Sequence, residues 1–247
     1  MQKREEFKQN KIDGRTQLLK KIVDTFQSLH PVAIHQFGSG IHGYKDEFSD
    51  IDIWITFNDD EIENVVKNLN SIFKEIAPVL TRHYSKSWSP IDGSANSVIH
   101  ETKDGLFIVD YYISKQSETT IKEDSLVLYG SDALPRGKWR LNKEVNKTIH
   151  DSHILKKDIN LLLNLIFISS KGIVRGWKNN DFVNTLKTVH RNFRKRHKQK
   201  IKRRRINLSL KVNYRLLADL SVISDKNQKK AIFKIKEYLQ QIESLYP

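Results

Sequence analysis

The 247-residue sequence contains no cysteine, one methionine and only five prolines, and its 29 acids are outnumbered by 43 bases. Without cysteine, disulfides and cysteine-ligated metal centres are excluded, so packing has to hold the fold. A chain of this length can bury one large core or two modest ones without such staples. Long apolar runs are missing too. The longest, residues 159–168, is broken by Asn160 and Asn164 and is too short to span a bilayer. Residues 1–8 are charged and lack the apolar stretch of a signal peptide, so a soluble, cytoplasmic protein is expected.

The excess of base is uneven. The formal net charge is +14, and residues 191–205 hold ten Lys/Arg and no acid, which leaves +4 for the rest. Such a run attracts polyanions, RNA among them, although a solvated helix face has the same composition.

Hydrophobic periodicity predicts a helix over about 15–29, with Leu18, Leu19, Ile22, Val23, Phe26 and Leu29 on one stripe. A strand over 32–37 runs into Gly38, and a second covers 51–55. Residues 58–60 cap a helix whose apolar positions run from Ile62 to Ile76, and Pro78 closes it. Residues 85–97 read as loop. Strands at 97–101 and 106–113 flank Lys103-Asp104-Gly105, a hairpin signal. Beyond Pro135-Arg136-Gly137 only helical patterns follow, at about 154–174, 181–200, 209–220 and 229–245, with Phe182, Val183, Leu186, Val189 and Phe193 inward in the second. The expected class is α+β: a domain over 1–140 with a small mixed sheet and helices, then an all-helical domain over 141–247.

The chemistry-bearing residues cluster in the first half. Gly38-Ser39-Gly40 forms a turn whose backbone can approach a phosphate closely, with the Ser39 hydroxyl adding a donor. Asp50 and Asp52 flank Ile51 at strand spacing, which points both carboxylates to one face. Neighbouring carboxylates repel each other, and a divalent cation relieves that. Asp110 sits in an apolar strand and reaches the same place if that strand lies beside the first. Taken singly, each piece also suits an ordinary turn or a strand end. His35 reads as a core residue, His42 as exposed, and His150 with His153 as weak metal candidates. Trp139, Arg140 and Trp177 read as packing that could stack on a base or acceptor. Arg136 and Lys138 are candidate phosphate neighbours, and Asp158 or Glu144 a candidate acceptor-side base.

Gly38-Ser39, ten residues, then Asp50-Ile51-Asp52 within Ser49-Asp50-Ile51-Asp52-Ile53, then Asp110 in a later strand resembles the signature of the nucleotidyltransferase superfamily. The resemblance covers about the first half of the chain. It implies transfer of a nucleoside monophosphate from a nucleoside triphosphate, ATP as the expected one, to an acceptor, with two Mg2+ ions. Asp50, Asp52 and Asp110 are then the metal ligands and catalytic residues, and Gly38, Ser39 and Gly40 hold the triphosphate. In layout the chain looks most like the lincosamide and aminoglycoside nucleotidyltransferases, which implies a hydroxyl-bearing small molecule, an antibiotic for instance, as acceptor. Two alternatives stay open: an RNA acceptor such as a tRNA end, reached through residues 191–205, and a non-catalytic nucleotide-binding regulator. The net charge argues against a polycationic aminoglycoside, which it would repel at range.

Overall fold

The computed structural model describes residues 2–43, 46–85, 88–139, 154–176, 181–198, 200–207 and 209–246. Its class is α+β: among the described residues six α-helices accompany a six-stranded mixed sheet. Two compact units are formed, residues 1–79 with 84–149, and residues 80–83 with 150–247.

The first unit opens with α1 (Gln2–Gln27). The helix begins well before residue 15 because its buried stripe continues backwards through Phe7, Lys11, Gly14 and Arg15. Two cations occupy that stripe, so a purely apolar reading stops short of it. Lys11 Nζ donates to the Leu106 carbonyl at 2.8 Å and lies 4.1 Å from the Phe107 ring centroid. Arg15 Nη2 donates to the carbonyls of Asp46 (3.2 Å) and Glu47 (3.0 Å). Each head group thus replaces water with backbone oxygen while its stem packs in the core.

The strands are β1 (Ala33–Phe37), β2 (Ile51–Phe57), β3 (Val79–Tyr84), β4 (Ser94–Thr102), β5 (Gly105–Lys115) and β6 (Leu126–Gly130), with α2 (Ile62–Ile76) between β2 and β3. Spatial order is β3-β4-β5-β2-β1-β6. The pairs β1–β2, β1–β6 and β4–β5 are antiparallel, and β2–β5 is parallel. Three features depart from the sequence expectation. β3 follows Pro78, β6 occupies the stretch before the helical half, and β4 starts at Ser94 within the expected loop. β3 and β6 are edge strands with half-exposed side chains, so they lack the apolar alternation that marks β2.

Alternate residues sort the sheet into two faces. Ile34, Ile51, Ile53, Ile55, Val98, Val109, Tyr111 and Ile113 join Leu18, Ile22 and Phe26 of α1 and Leu69, Phe73 and Ile76 of α2 in one aliphatic core. The other face carries Ala33, Phe37 and Trp54, covered by Ile121, Leu134 and Trp139.

The second unit consists of residues 80–83 and four helices, α3 (Ile154–Val174), α4 (Asp181–Arg196), α5 (Leu210–Ile223) and α6 (Lys226–Leu245). α3 is its centre, with Ile159, Leu162, Leu163, Ile166 and Phe167 buried. The asparagines that interrupt this apolar run are structural. Asn164 Oδ1 accepts from Thr81 Oγ1 at 2.6 Å, and Asn160 Nδ2 donates to the Arg82 carbonyl at 3.2 Å. α4 ends four residues earlier than its pattern suggested; Lys198 there takes a left-handed φ of 48°. Phe182 is 39% exposed rather than inward, and His190 takes a place in the stripe. α6 starts at a capping box in which Asp225 accepts from the Gln228 amide while the Gln228 side chain accepts from the Asp225 amide.

Candidate functional site

Asp52 is the second residue of β2 and Asp110 the sixth of β5, and the parallel register sets them directly opposite one another. Both are half-buried. On the other flank of β2, Phe37 pairs with Asp52, so the turn that follows β1 opens beside the same carboxylate. Gly38–His42 coil there into a short 3-10 turn, and Gly38 has φ +71°. A Cβ on Gly38 would collide with Asp52 Oδ2. Glycine is thus required twice at this position, by its dihedral and by the carboxylate packed against it.

Asp50 is the last residue before β2. The loop that delivers it is fixed from α1 by Arg15, and from within by Asp46 Oδ1, which accepts from the Phe48 amide at 2.9 Å. Phe48, 4% exposed, is buried against Phe7, with ring centroids 6.3 Å apart. Among the described residues no group of three or more His, Asp or Glu side chains is arranged to hold a metal ion. The structure therefore brings Asp52, Asp110 and Gly38 together and leaves Asp50 adjoining them in the chain.

An aromatic floor lies next to the carboxylate pair. Trp54 and Tyr112 stack with centroids 5.4 Å apart and planes 2° from parallel. Trp139 meets Phe37, Trp54 and Tyr112 at 4.8, 5.0 and 5.2 Å. Trp54 Nε1 donates to Ser114 Oγ at 2.7 Å, which fixes the indole. Burial raises the Tyr112 phenol far above its ordinary range, and the negative charges of Asp110 and Asp52 add to the shift. Its hydroxyl is thus a permanent neutral O–H beside two carboxylates. Lys122 Nζ sits 4.6 Å from the Trp139 ring centroid and 5.2 Å from that of Phe37.

His35, on the same face, is fully buried, and neither ring nitrogen has a hydrogen-bond partner among the described residues. Desolvation lowers its pKa, with the Arg136 charge acting the same way and Asp132 opposing. Nothing in the sequence separates such a histidine from a bonded core histidine. Arg136 is a staple for its own loop: Nη1 donates to the carbonyls of Lys122, Glu123 (2.8 Å) and Ser125 (3.1 Å), and Nη2 binds Asp132. Asp158, a candidate base in the helical half, is engaged by Arg196 at 2.9 Å and His197 at 2.8 Å. His42 and Lys138 are exposed. His150, His153, Arg140, Glu144 and Trp177 lie outside the described residues.

No protein-family model matches this chain, and no curated protein matches it either. No described helix is long and apolar enough to cross a membrane.

Proposed function

We propose that the chain is a Mg2+-dependent nucleotidyltransferase that moves a nucleoside monophosphate from a nucleoside triphosphate to a hydroxyl of a small-molecule acceptor. The observation that carries the reading is the in-register pairing of Asp52 with Asp110 beside a turn whose first residue has to be glycine. Two carboxylates opposed across a parallel ladder are a hard-oxygen donor set suited to Mg2+, and Asp50 is the third ligand that would complete it. Bound there, Mg2+ would neutralise the phosphates and lower the proton affinity of the acceptor hydroxyl.

The chain's own residues have separate tasks. The Gly38–Gly40 backbone and the Ser39 hydroxyl bind the β- and γ-phosphates, which sets the α-phosphorus facing the carboxylates. Asp110 takes the proton from the acceptor hydroxyl. The acceptor oxygen then bonds to the α-phosphorus as the bond to the bridging oxygen breaks, and pyrophosphate leaves with that electron pair. Tyr112, held protonated, offers its O–H without adding negative charge. In this scheme the catalytic domain is residues 1–140 and the acceptor-binding domain residues 141–247.

The test is incubation with each labelled NTP and Mg2+ against lincosamide, aminoglycoside and RNA panels, with a magnesium-dependent thermal shift measured alongside. Label transferred to one acceptor class, and lost in Asp52→Asn, is the expected result. A thermal shift without transfer to any acceptor would make the chain a nucleotide-binding regulator. Neither shift nor transfer would end the proposal.

A further inference from the structure

The helical unit holds a second charged feature, the segment that follows α4. Its sequence alone suits a solvated helix face, but residues 200–207 are neither helix nor strand. A non-repetitive run this rich in like charge tends to stay mobile unless something holds it. Here it is held at successive points. Ile201 and Ile206 are buried, at 3% and 6% exposed. The Ile201 carbonyl accepts from Arg194 Nε at 3.1 Å. His190 of α4 is buried, at 3% exposed. Arg204 grips Asp219 with two bonds of 2.9 Å. The result is a strap pinned from beneath.

What the pins leave outward is all of one sign. Lys195, Lys198, Lys200, Lys202, Arg203 and Arg205 are exposed, and none makes an ion pair or hydrogen bond through its side chain to a described residue. Holding unpaired cations together costs electrostatic energy, which a polyanion would relieve. Both isoleucines point inward, so the strap has no exposed apolar group to enter a bilayer. It has no exposed aromatic to stack on a base either, which leaves phosphate as the group to be recognised.

We infer that the strap over residues 200–207, together with Lys195 and Lys198 around the end of α4, is a nucleic-acid docking site that grips the phosphodiester backbone without reading base sequence. The inference does not rest on nucleotidyl transfer, since every residue in it belongs to the helical unit. It gives the protein a polyanionic partner whichever acceptor the carboxylate site uses.

The experiment is fluorescence anisotropy of the 247-residue chain with labelled single-stranded RNA and DNA of about 20 nucleotides across a NaCl series, with phosphatidylserine vesicles as a separate arm. RNA and DNA should bind alike, with affinity falling steeply with salt. The K200Q/K202Q/R203Q/R205Q variant changes only exposed side chains. It should weaken binding at least tenfold at low salt and flatten the log K against log salt slope by about 3, the value for four phosphate contacts on a single strand. Asp219→Asn separates a built site from bulk charge. It makes the protein more basic yet releases Arg204, so binding should weaken several-fold with the circular dichroism spectrum unchanged. Asp52→Asn should bind like the parent. An unaltered salt slope in the quadruple variant, tighter binding in Asp219→Asn, a tenfold preference for one nucleic acid, or binding to vesicles alone would each overturn the inference.

Discussion

The two faces of the sheet are drawn from alternate residues of the same strands and are built to opposite ends. On the helix-covered face Ile51, Ile53, Ile55, Val109 and Ile113 meet aliphatic and aromatic carbons of α1 and α2. On the other, the intervening positions are Asp52, Trp54, Asp110 and Tyr112, and Ile121 and Leu134, from a stretch stapled through Arg136, pack with the two aromatics. Two buried histidines of the sheet show the same contrast. His100, among the residues of the aliphatic face, donates from Nδ1 to the Ala77 carbonyl at 3.2 Å and accepts from the Tyr111 hydroxyl at 3.0 Å. His35, on the carboxylate face, is buried without hydrogen-bond partners among the described residues. The helix-covered face satisfies its buried histidine and supplies stability; the other tolerates charge and, among the described residues, a histidine whose polarity is unmet, as functional surfaces do.

If that division holds, changes on the two faces should separate activity from stability. The largest effect is expected from Asp52→Asn: transfer should fall at least about a thousandfold, roughly 4 kcal/mol of transition-state stabilisation, while the urea midpoint barely moves. Near-parental activity would remove Asp52 from the site. Ile53→Ala, one residue away but facing the helices, should cost about 3 kcal/mol of folding stability. The remaining folded protein should keep its specific activity, and a selective loss of turnover would show that the faces are coupled. Gly38→Ala lies between these extremes. A side chain at φ +71° costs roughly 1–2 kcal/mol, and its Cβ meets Asp52 Oδ2, so NTP affinity should fall about tenfold or more in titrations followed by thermal shift.

The smallest expected effect is a pH dependence. Burial lowers the His100 pKa to about 4, against 6.5 for a free imidazole. Between those values the unfolded chain binds the proton and the folded chain does not. This contribution to stability is therefore complete above pH 6.5 and is lost as pH falls, by about 1.4 kcal/mol per unit. Parent and His100→Gln should differ in how their urea midpoints fall between pH 7.5 and 5.5, with the shallower fall in the variant. Equal falls would show that His100 does not carry the term.

Legibility followed the range of the interactions involved. β2, β5 and all four helices of the second unit were readable because period-2 and helical alternation are written in adjacent residues. The first half of α1 was missed because Lys11 and Arg15 look polar in sequence, and only Leu106, Asp46 and Glu47, far along the chain, make their burial tolerable. The edge strands β3 and β6 have no alternation to read. Arg136 and Asp158 carry no local signal of the carbonyls and cations, remote in sequence for Asp158, that engage them.

Composition and local pattern by themselves determined the α+β class, the absence of disulfides, the strand positions of Asp52 and Asp110 and the basic run. Only the tertiary structure decided that β5 lies parallel to β2 with Asp110 opposite Asp52, that Gly38 is pressed on that carboxylate, and that the basic run is a pinned strap. The physical reason is that side-chain alternation is set by neighbouring dihedrals, whereas register and anchoring depend on groups remote in sequence that meet only when the cores close.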